Sequence, residues 1–185
     1  MSTSLNIVAF AATTSSKSVN KQLATYAAGL VEGASVEVLD LNDFELPLFS
    51  EDREAELGQP QLAHDFLAKL SGADAVVISF AEHNGSYAAA FKSLFDWASR
   101  ITRDVYANKP MVLLATSPGP GGAKTVLAQA EGSMGFFAGD VKATLSVPSF
   151  YDNFDVEAQE MTNAELKAQL VDAMSTLKTA VAQAA

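Results

Sequence analysis

The sequence predicts an α/β fold built on a five-stranded parallel sheet, and three observations predict it. Apolar, β-branched runs at residues 5–11, 73–80 and 109–116 read as strands buried on both faces, as parallel strands covered by helices must be. Stretches of helical period lie between strands, such as Phe91, Leu94, Phe95, Ala98 and Ile101. Three strands run into loops of unusual composition, and the carboxyl ends of strands are where an open parallel sheet binds ligands.

Taken in order, residues 5–11 form the first, central strand. Residues 12–20 follow as a loop of short hydroxyl side chains, and a helix over 19–31 carries Leu23, Tyr26, Ala27 and Leu30 on one face. Strand, hydroxyl loop and helix N-terminus together make an anion site, because free N–H groups and the positive end of the helix dipole point at the loop. Neither the glycine-rich dinucleotide fingerprint nor the Walker phosphate loop is present. Residues 35–40 alternate as a less buried strand. The long acidic connection 41–58 has no clear periodicity, which marks it as functional, mobile or simply solvated. Pro60 opens a helix bearing Leu62, Phe66, Leu67 and Leu70.

The strand at 73–80 ends in Ala81-Glu82-His83-Asn84-Gly85-Ser86-Tyr87, a short polar loop before a helix over 88–100. The strand at 109–116 ends in Ser117-Pro118-Gly119-Pro120-Gly121-Gly122, where missing Cβ atoms let backbone amides approach a flat ligand. A helix over 123–132 and a fifth strand over 141–147 follow. Residues 149–154 form an aromatic turn, read first as packing or a subunit contact and second as a substrate wall. Thr162-x-x-Glu165 is a capping-box pattern for a last helix whose Leu166, Leu170, Met174, Leu177 and Val181 make one core stripe.

The chain of 185 residues suits one domain, 1–185, and 49% hydrophobic against 18% charged residues is a globular balance. A formal charge of −10 argues against nucleic acid and anionic membranes, which need basic surface. It leaves room for a small anion held by backbone amides. No run approaches a membrane span and the first residues lack a basic leader, so the expected location is the cytoplasm. With no cysteine there is no disulfide, thiolate metal site or thiol nucleophile. The two histidines, His64 and His83, are too far apart in sequence to suggest a metal pair.

Glu82-His83-Asn84-Gly85-Ser86, followed by Phe91-Lys92-Ser93-Leu94-Phe95-Asp96-Trp97-Ala98-Ser99-Arg100, resembles a segment of the NAD(P)H-dependent FMN reductases. There the loop usually reads Pro-Glu-Tyr-Asn-Gly-Ser, and the helix carries Lys, Asp-Trp and Ser-Arg at the same spacing. Ala81 stands in place of the usual Pro and His83 in place of Tyr. The loop at 12–20 resembles the same family's Gly-Ser-x-Arg-x-x-Ser-x-Asn: Thr13, Ser18 and Asn20 keep the pattern, while Ala12 replaces the glycine and Ser15 the arginine. Lys17 offers a point charge without the bidentate geometry of arginine.

The resemblance implies a flavodoxin-like three-layer sandwich with strand order 2-1-3-4-5, in which the three unusual loops meet at one crevice. It implies that Thr13, Ser15, Lys17, Ser18, Val19 and Asn20 hold the phosphate of FMN. Ala81, Glu82, His83, Asn84 and Gly85, with Ser117, Gly119 and Gly122, would then line the isoalloxazine. His83 either packs on the flavin or faces water. The implied activity is hydride transfer from NAD(P)H to FMN and on to a quinone, free flavin, azo compound or metal oxyanion, in a homodimer or homotetramer. No nucleophile–base–acid set or metal site is expected, since the cofactor carries the chemistry. The alternatives are a flavodoxin-type electron carrier and a non-enzymatic domain that has lost the flavin.

Overall fold

A computed structural model describes residues 4–184. The chain runs β1 (Asn6–Ala12), α1 (Val19–Gly29), β2 (Ser35–Leu39), a 3₁₀ turn (Leu41–Phe44), α2 (Glu51–Leu57), α3 (Gln61–Gly72) and β3 (Ala75–Phe80). Two short strands, β4 (Glu82–His83) and β5 (Ser86–Tyr87), precede α4 (Ala89–Ile101), β6 (Lys109–Thr116), α5 (Lys124–Met134) and β7 (Gly139–Val147). The chain ends with α6 (Phe150–Asn153), β8 (Phe154–Asp155), β9 (Glu160–Met161) and α7 (Ala164–Ala184).

Five parallel strands pair in the order β2-β1-β3-β6-β7, which is the expected 2-1-3-4-5. Period-2 alternation splits each central strand between two cores. Val8 and Phe10 of β1 join Phe66 of α3, Phe91 of α4 and Val126 of α5 on one face. Ile7 and Ala9 join Leu23 of α1 and Leu170, Met174 and Leu177 of α7 on the other. The architecture is therefore a three-layer α/β/α sandwich, and the stripe expected on the last helix is core. Among the described residues, no helix is long and apolar enough to cross a membrane.

Three local features differ from the expectation. The connection 41–58 holds a helix, α2, capped by Ser50, whose side chain accepts from Arg53 N–H. None of its seven residues is buried, so there was no apolar period to read. Residues 82–87 form a hairpin instead of a plain loop: Asn84 (φ 52°) and Gly85 (φ 76°) supply the two left-handed positions of a tight turn, the usual use of Asn-Gly. The last helix is capped by Asn163, whose Oδ1 accepts from Glu165 and Leu166 N–H, and not by Thr162.

The Asp96-Trp97-Ala98-Ser99-Arg100 stretch secures the acidic connection. Trp97 is fully buried, and its Nε1–H donates to the Pro47 carbonyl at 2.7 Å; Ser93 Oγ donates to the same oxygen at 3.1 Å. Arg100 donates to both oxygens of Glu54 in α2 and lies 5.9 Å from the centre of the Phe49 ring. Lys92 and Asp96 form an i,i+4 ion pair on the exposed side of α4.

Tyr106, between α4 and β6, is fully buried, yet its hydroxyl meets no partner among the described residues. Burial pushes its phenol well above the usual range. An unpaired buried hydroxyl costs stability, so Tyr106→Phe is expected to leave stability unchanged or raise it by about 1 kcal/mol. A thermal melt that drops markedly would show that the hydroxyl has a partner after all.

Candidate functional site: three loops at one sheet edge

Strand register brings the three loops together. Ala12 of β1 pairs with Phe80 of β3, and Phe80 with Ala115 of β6, so the chain leaves all three strands at one level. The loops 13–18, 81–87 and 117–123 therefore share the carboxyl edge of the sheet, β1 and β3 flanking the point where the strand order reverses.

The first loop is organised around α1. Ser18 caps the helix, its Oγ accepting from Lys21 N–H at 3.2 Å. The N–H groups of Val19 and Asn20, in the open first turn, have no acceptor among the described residues. Thr13 is nearly buried and its Oγ1 accepts from Ser15 N–H. Ser15 and Lys17 are exposed.

Asn20 has a different place from its neighbours. It is only 3% exposed, and its side chain turns into the sheet. Its Oδ1 accepts from Ser79 Oγ at 2.7 Å and from Thr116 N–H at 3.0 Å; its Nδ2 donates to the Thr116 carbonyl at 3.1 Å. Thr116 Oγ1 continues to the Val147 carbonyl at 2.7 Å. One amide thus ties α1 to the ends of β3 and β6, and Thr116 extends the tie to β7. Asn20, expected to help hold a cofactor phosphate, has both side-chain polar atoms engaged at the strand ends, while its backbone N–H has no acceptor among the described residues.

In the second loop His83, Asn84 and Gly85 are exposed at the hairpin tip, and Ala81 and Glu82 are half-buried. The Glu82 carboxylate reaches α5, its Oε2 accepting from Val126 N–H in the first turn of that helix at 2.9 Å. In the third loop, Ser117 Oγ donates to the Gly119 carbonyl, which also accepts from Gly122 and Ser149 N–H. A Cβ on Gly119 would meet nothing within 4 Å, whereas one on Gly122 would lie 2.4 Å from Ser146 Oγ. Gly122, with its carbonyl also held by Ser146 Oγ, is a packing glycine against β7 and not an open approach to a ligand.

Sequence reasoning missed the support from the second strand. Asp40, at the end of β2, pairs with Lys21 of α1 at 2.6 Å, and Asn42 Nδ2 donates to both the Asp40 carboxylate and the Thr14 carbonyl. A cleft of about 160 Å³ opens there between Thr14, the 41–46 segment and Ala90. A larger groove of about 260 Å³, between α4 and α5, is lined by none of the expected cofactor residues. The Lys21 ammonium and the Asn42 N–H groups hold the Asp40 carboxyl down at about 2. Its folded value lies below its unfolded one, so its stabilising contribution is present above about pH 4 and fades as pH falls toward 2. Asp40→Asn is expected to flatten the acid limb of a pH–melting profile in that window. An unchanged limb would contradict the pairing.

His64 is exposed on α3. Among the described residues no cluster of three or more His, Asp or Glu side chains could hold a metal. In the aromatic turn, Phe150 and Phe154 are buried and stacked at 4.7 Å, which makes them packing residues, while Tyr151 is exposed.

Compared with known protein families, residues 5–152 match the NADPH-dependent FMN reductase family. The chain belongs to that family. It is 33% identical over 120 residues to an NAD(P)H-dependent FMN reductase of Pseudomonas aeruginosa, covering 64% of this chain and 63% of that one. It is 34% identical over 93 residues to a quinone reductase of Escherichia coli, covering 49% and 50%. The chain thus spans between about half and just under two thirds of the length of these relatives. Among solved structures it is similar to the flavoenzyme NAD(P)H:(acceptor) oxidoreductase FerB of Paracoccus denitrificans, with a TM-score of 0.76 and 19% identity over 97% of this chain and 98% of that one. An azoreductase of Bacillus anthracis gives a TM-score of 0.61 and 18% identity over 95% and 99%. At such identities these structures establish the flavodoxin-like fold of the family.

Proposed function

We propose that this chain is an FMN-dependent NAD(P)H oxidoreductase acting on a small oxidised acceptor, in keeping with its family. The observation that carries the reading is the crevice itself: an open helix N-terminus, a left-handed hairpin tip and an open glycine loop at one level of the sheet. The residues present fit FMN. Val19 and Asn20 N–H, left without acceptors, with the hydroxyls of Thr13 and Ser15, suit a phosphate. Lys17 supplies a mobile positive charge where the family usually has arginine. Gly119 offers backbone that a flat ring system can approach, because nothing lies within 4 Å of where a Cβ would stand, and at Gly85 the one neighbour is the Thr125 methyl group at 4.0 Å.

When bound, FMN supplies two-electron chemistry, taking hydride from NAD(P)H and passing electrons to the acceptor. The chain's task is placement. The α1 N-terminus and its hydroxyls would hold the phosphate end. Backbone groups of Ala81, Glu82, Asn84 and Gly85, with Ser117, Gly119 and His83, would hold the ring system. Asn20 keeps the loop ends at fixed separation from beneath.

The two cores share one sheet, which supports treating residues 1–185 as one domain. We also propose a homo-oligomer: Leu48, Leu57 and Leu62, from the connection, α2 and α3, are 62%, 53% and 36% exposed, an apolar set that association would cover. The cysteine-free composition supports a cytoplasmic location. Quinones are the favoured acceptor class, since quinone reductases are among the sequence relatives. The test is equilibrium titration with FMN, followed by quenching of flavin fluorescence. Saturable, stoichiometric binding is expected. Absence of binding at micromolar FMN would show that the missing arginine is decisive, and the chain would be a family member without its flavin.

A further inference from the structure

The hairpin β4–β5 is fastened along one face of α5, one contact per turn. Glu82 Oε2 accepts from Val126 N–H at 2.9 Å, Ser86 Oγ donates to Gln129 Oε1 at 3.0 Å, and Tyr87 and Ser133 hydroxyls lie 3.4 Å apart. Positions 126, 129 and 133 lie on one side of a helix. The first contact matters most, because α5 has no cap of its own. Its N-cap residue is Ala123, in the left-handed region at φ 56°, with no side chain able to accept a hydrogen bond. An ordinary N-cap side chain accepts from the N–H three positions on, which here is Val126. Glu82 performs that task from 44 residues upstream, and its negative charge meets the positive end of the helix dipole.

We infer that Glu82 is a positioning residue: by capping α5 from the hairpin, its carboxylate joins the 81–87 and 117–123 loops into one wall of the crevice. The α5 N-terminus follows directly on the Ser117–Gly122 loop, so whatever fixes Val126 also fixes the backbone at Gly119 and Gly122. The carboxylate is engaged by Val126 N–H, so its effect on a bound flavin is indirect. This rests on the flavin reading proposed above, but the mechanical coupling itself does not require a ligand.

The test therefore has two arms on full-length protein. In the first, amide hydrogen exchange of the ligand-free chain is compared for wild type, Glu82→Ala and Glu82→Gln. Glu82→Ala is expected to speed exchange at Val126 and in the hairpin by roughly five- to tenfold, the equilibrium equivalent of a lost cap. Glu82→Gln keeps an acceptor oxygen and is expected to recover most of that protection. In the second arm, FMN dissociation constants of the three proteins are expected to follow the same order, with Glu82→Ala weakest. Unchanged exchange at Val126 in Glu82→Ala, or Glu82→Gln as unprotected as Glu82→Ala, would overturn the capping. Altered exchange with an unchanged FMN constant would overturn the positioning role. If wild type binds no FMN, the flavin reading and with it the positioning role fall, while the first arm still decides the capping.

Discussion

Replacing Asn20 with alanine is expected to destabilise the fold by about 3–5 kcal/mol, because it strands three buried polar groups at once. Thr116 N–H, the Thr116 carbonyl and the Ser79 hydroxyl all lose their partner, and Ser79 and Thr116 are 0% and 1% exposed. Asn20→Asp tests the geometry in another way: it preserves the shape but turns the donor facing the Thr116 carbonyl into an acceptor, and is expected to be about as damaging. Urea unfolding measures both. A loss below about 1 kcal/mol for Asn20→Ala would mean that the strand ends hold their spacing without it. FMN affinity is expected to fall with stability, since Asn20 ties α1, which closes the first loop, to the strands from which the other two loops leave.

Gly122→Ala is the second large effect, expected at about 2–4 kcal/mol from a left-handed backbone bearing a side chain together with a methyl group forced into packed atoms. The residue sits at φ 60°, and a Cβ there would lie 2.4 Å from Ser146 Oγ, 3.0 Å from Pro148 N and 3.1 Å from Pro148 Cα. The Ser146 hydroxyl can swing aside only by giving up its bond to the Gly122 carbonyl; the Pro148 backbone cannot. Gly119→Ala is the paired control, since its Cβ meets nothing within 4 Å. It is expected to leave the melting temperature nearly unchanged and to weaken FMN binding by covering open backbone. The two glycines, three residues apart, thus separate a stability effect from a binding effect. Equal melting losses in the two variants would contradict the division.

The sheet was legible because parallel strands covered on both faces are written as unbroken apolar runs. β6 begins and ends where the run from Lys109 to Thr116 does. The strand order came with the resemblance, because nothing in a single strand names its neighbour. What stayed hidden had no local trace. Helix α2 buries nothing, so no period marks it. Asn20 stands among Ser and Thr residues and reads as another loop ligand; only folding reveals that its partners are Ser79 and Thr116, 59 and 96 positions away. Glu82 likewise reads as a loop carboxylate until α5 is placed beside it. The hairpin at 82–87 did have a signal, since Asn84-Gly85 is the dipeptide that a tight two-residue turn demands. The Asp96–Arg100 stretch carries the resemblance by its spacing, but that spacing does not show that it pins the acidic connection, with Trp97 and Arg100 gripping Pro47 and Glu54.

The most direct measurement is an anaerobic visible spectrum of the FMN-loaded protein on addition of one equivalent of NADPH, then of benzoquinone. An NAD(P)H oxidoreductase bleaches the bound flavin band stoichiometrically and recovers it when the quinone is added. A band that binds but does not bleach with either NADPH or NADH would contradict the enzyme reading and leave an electron carrier.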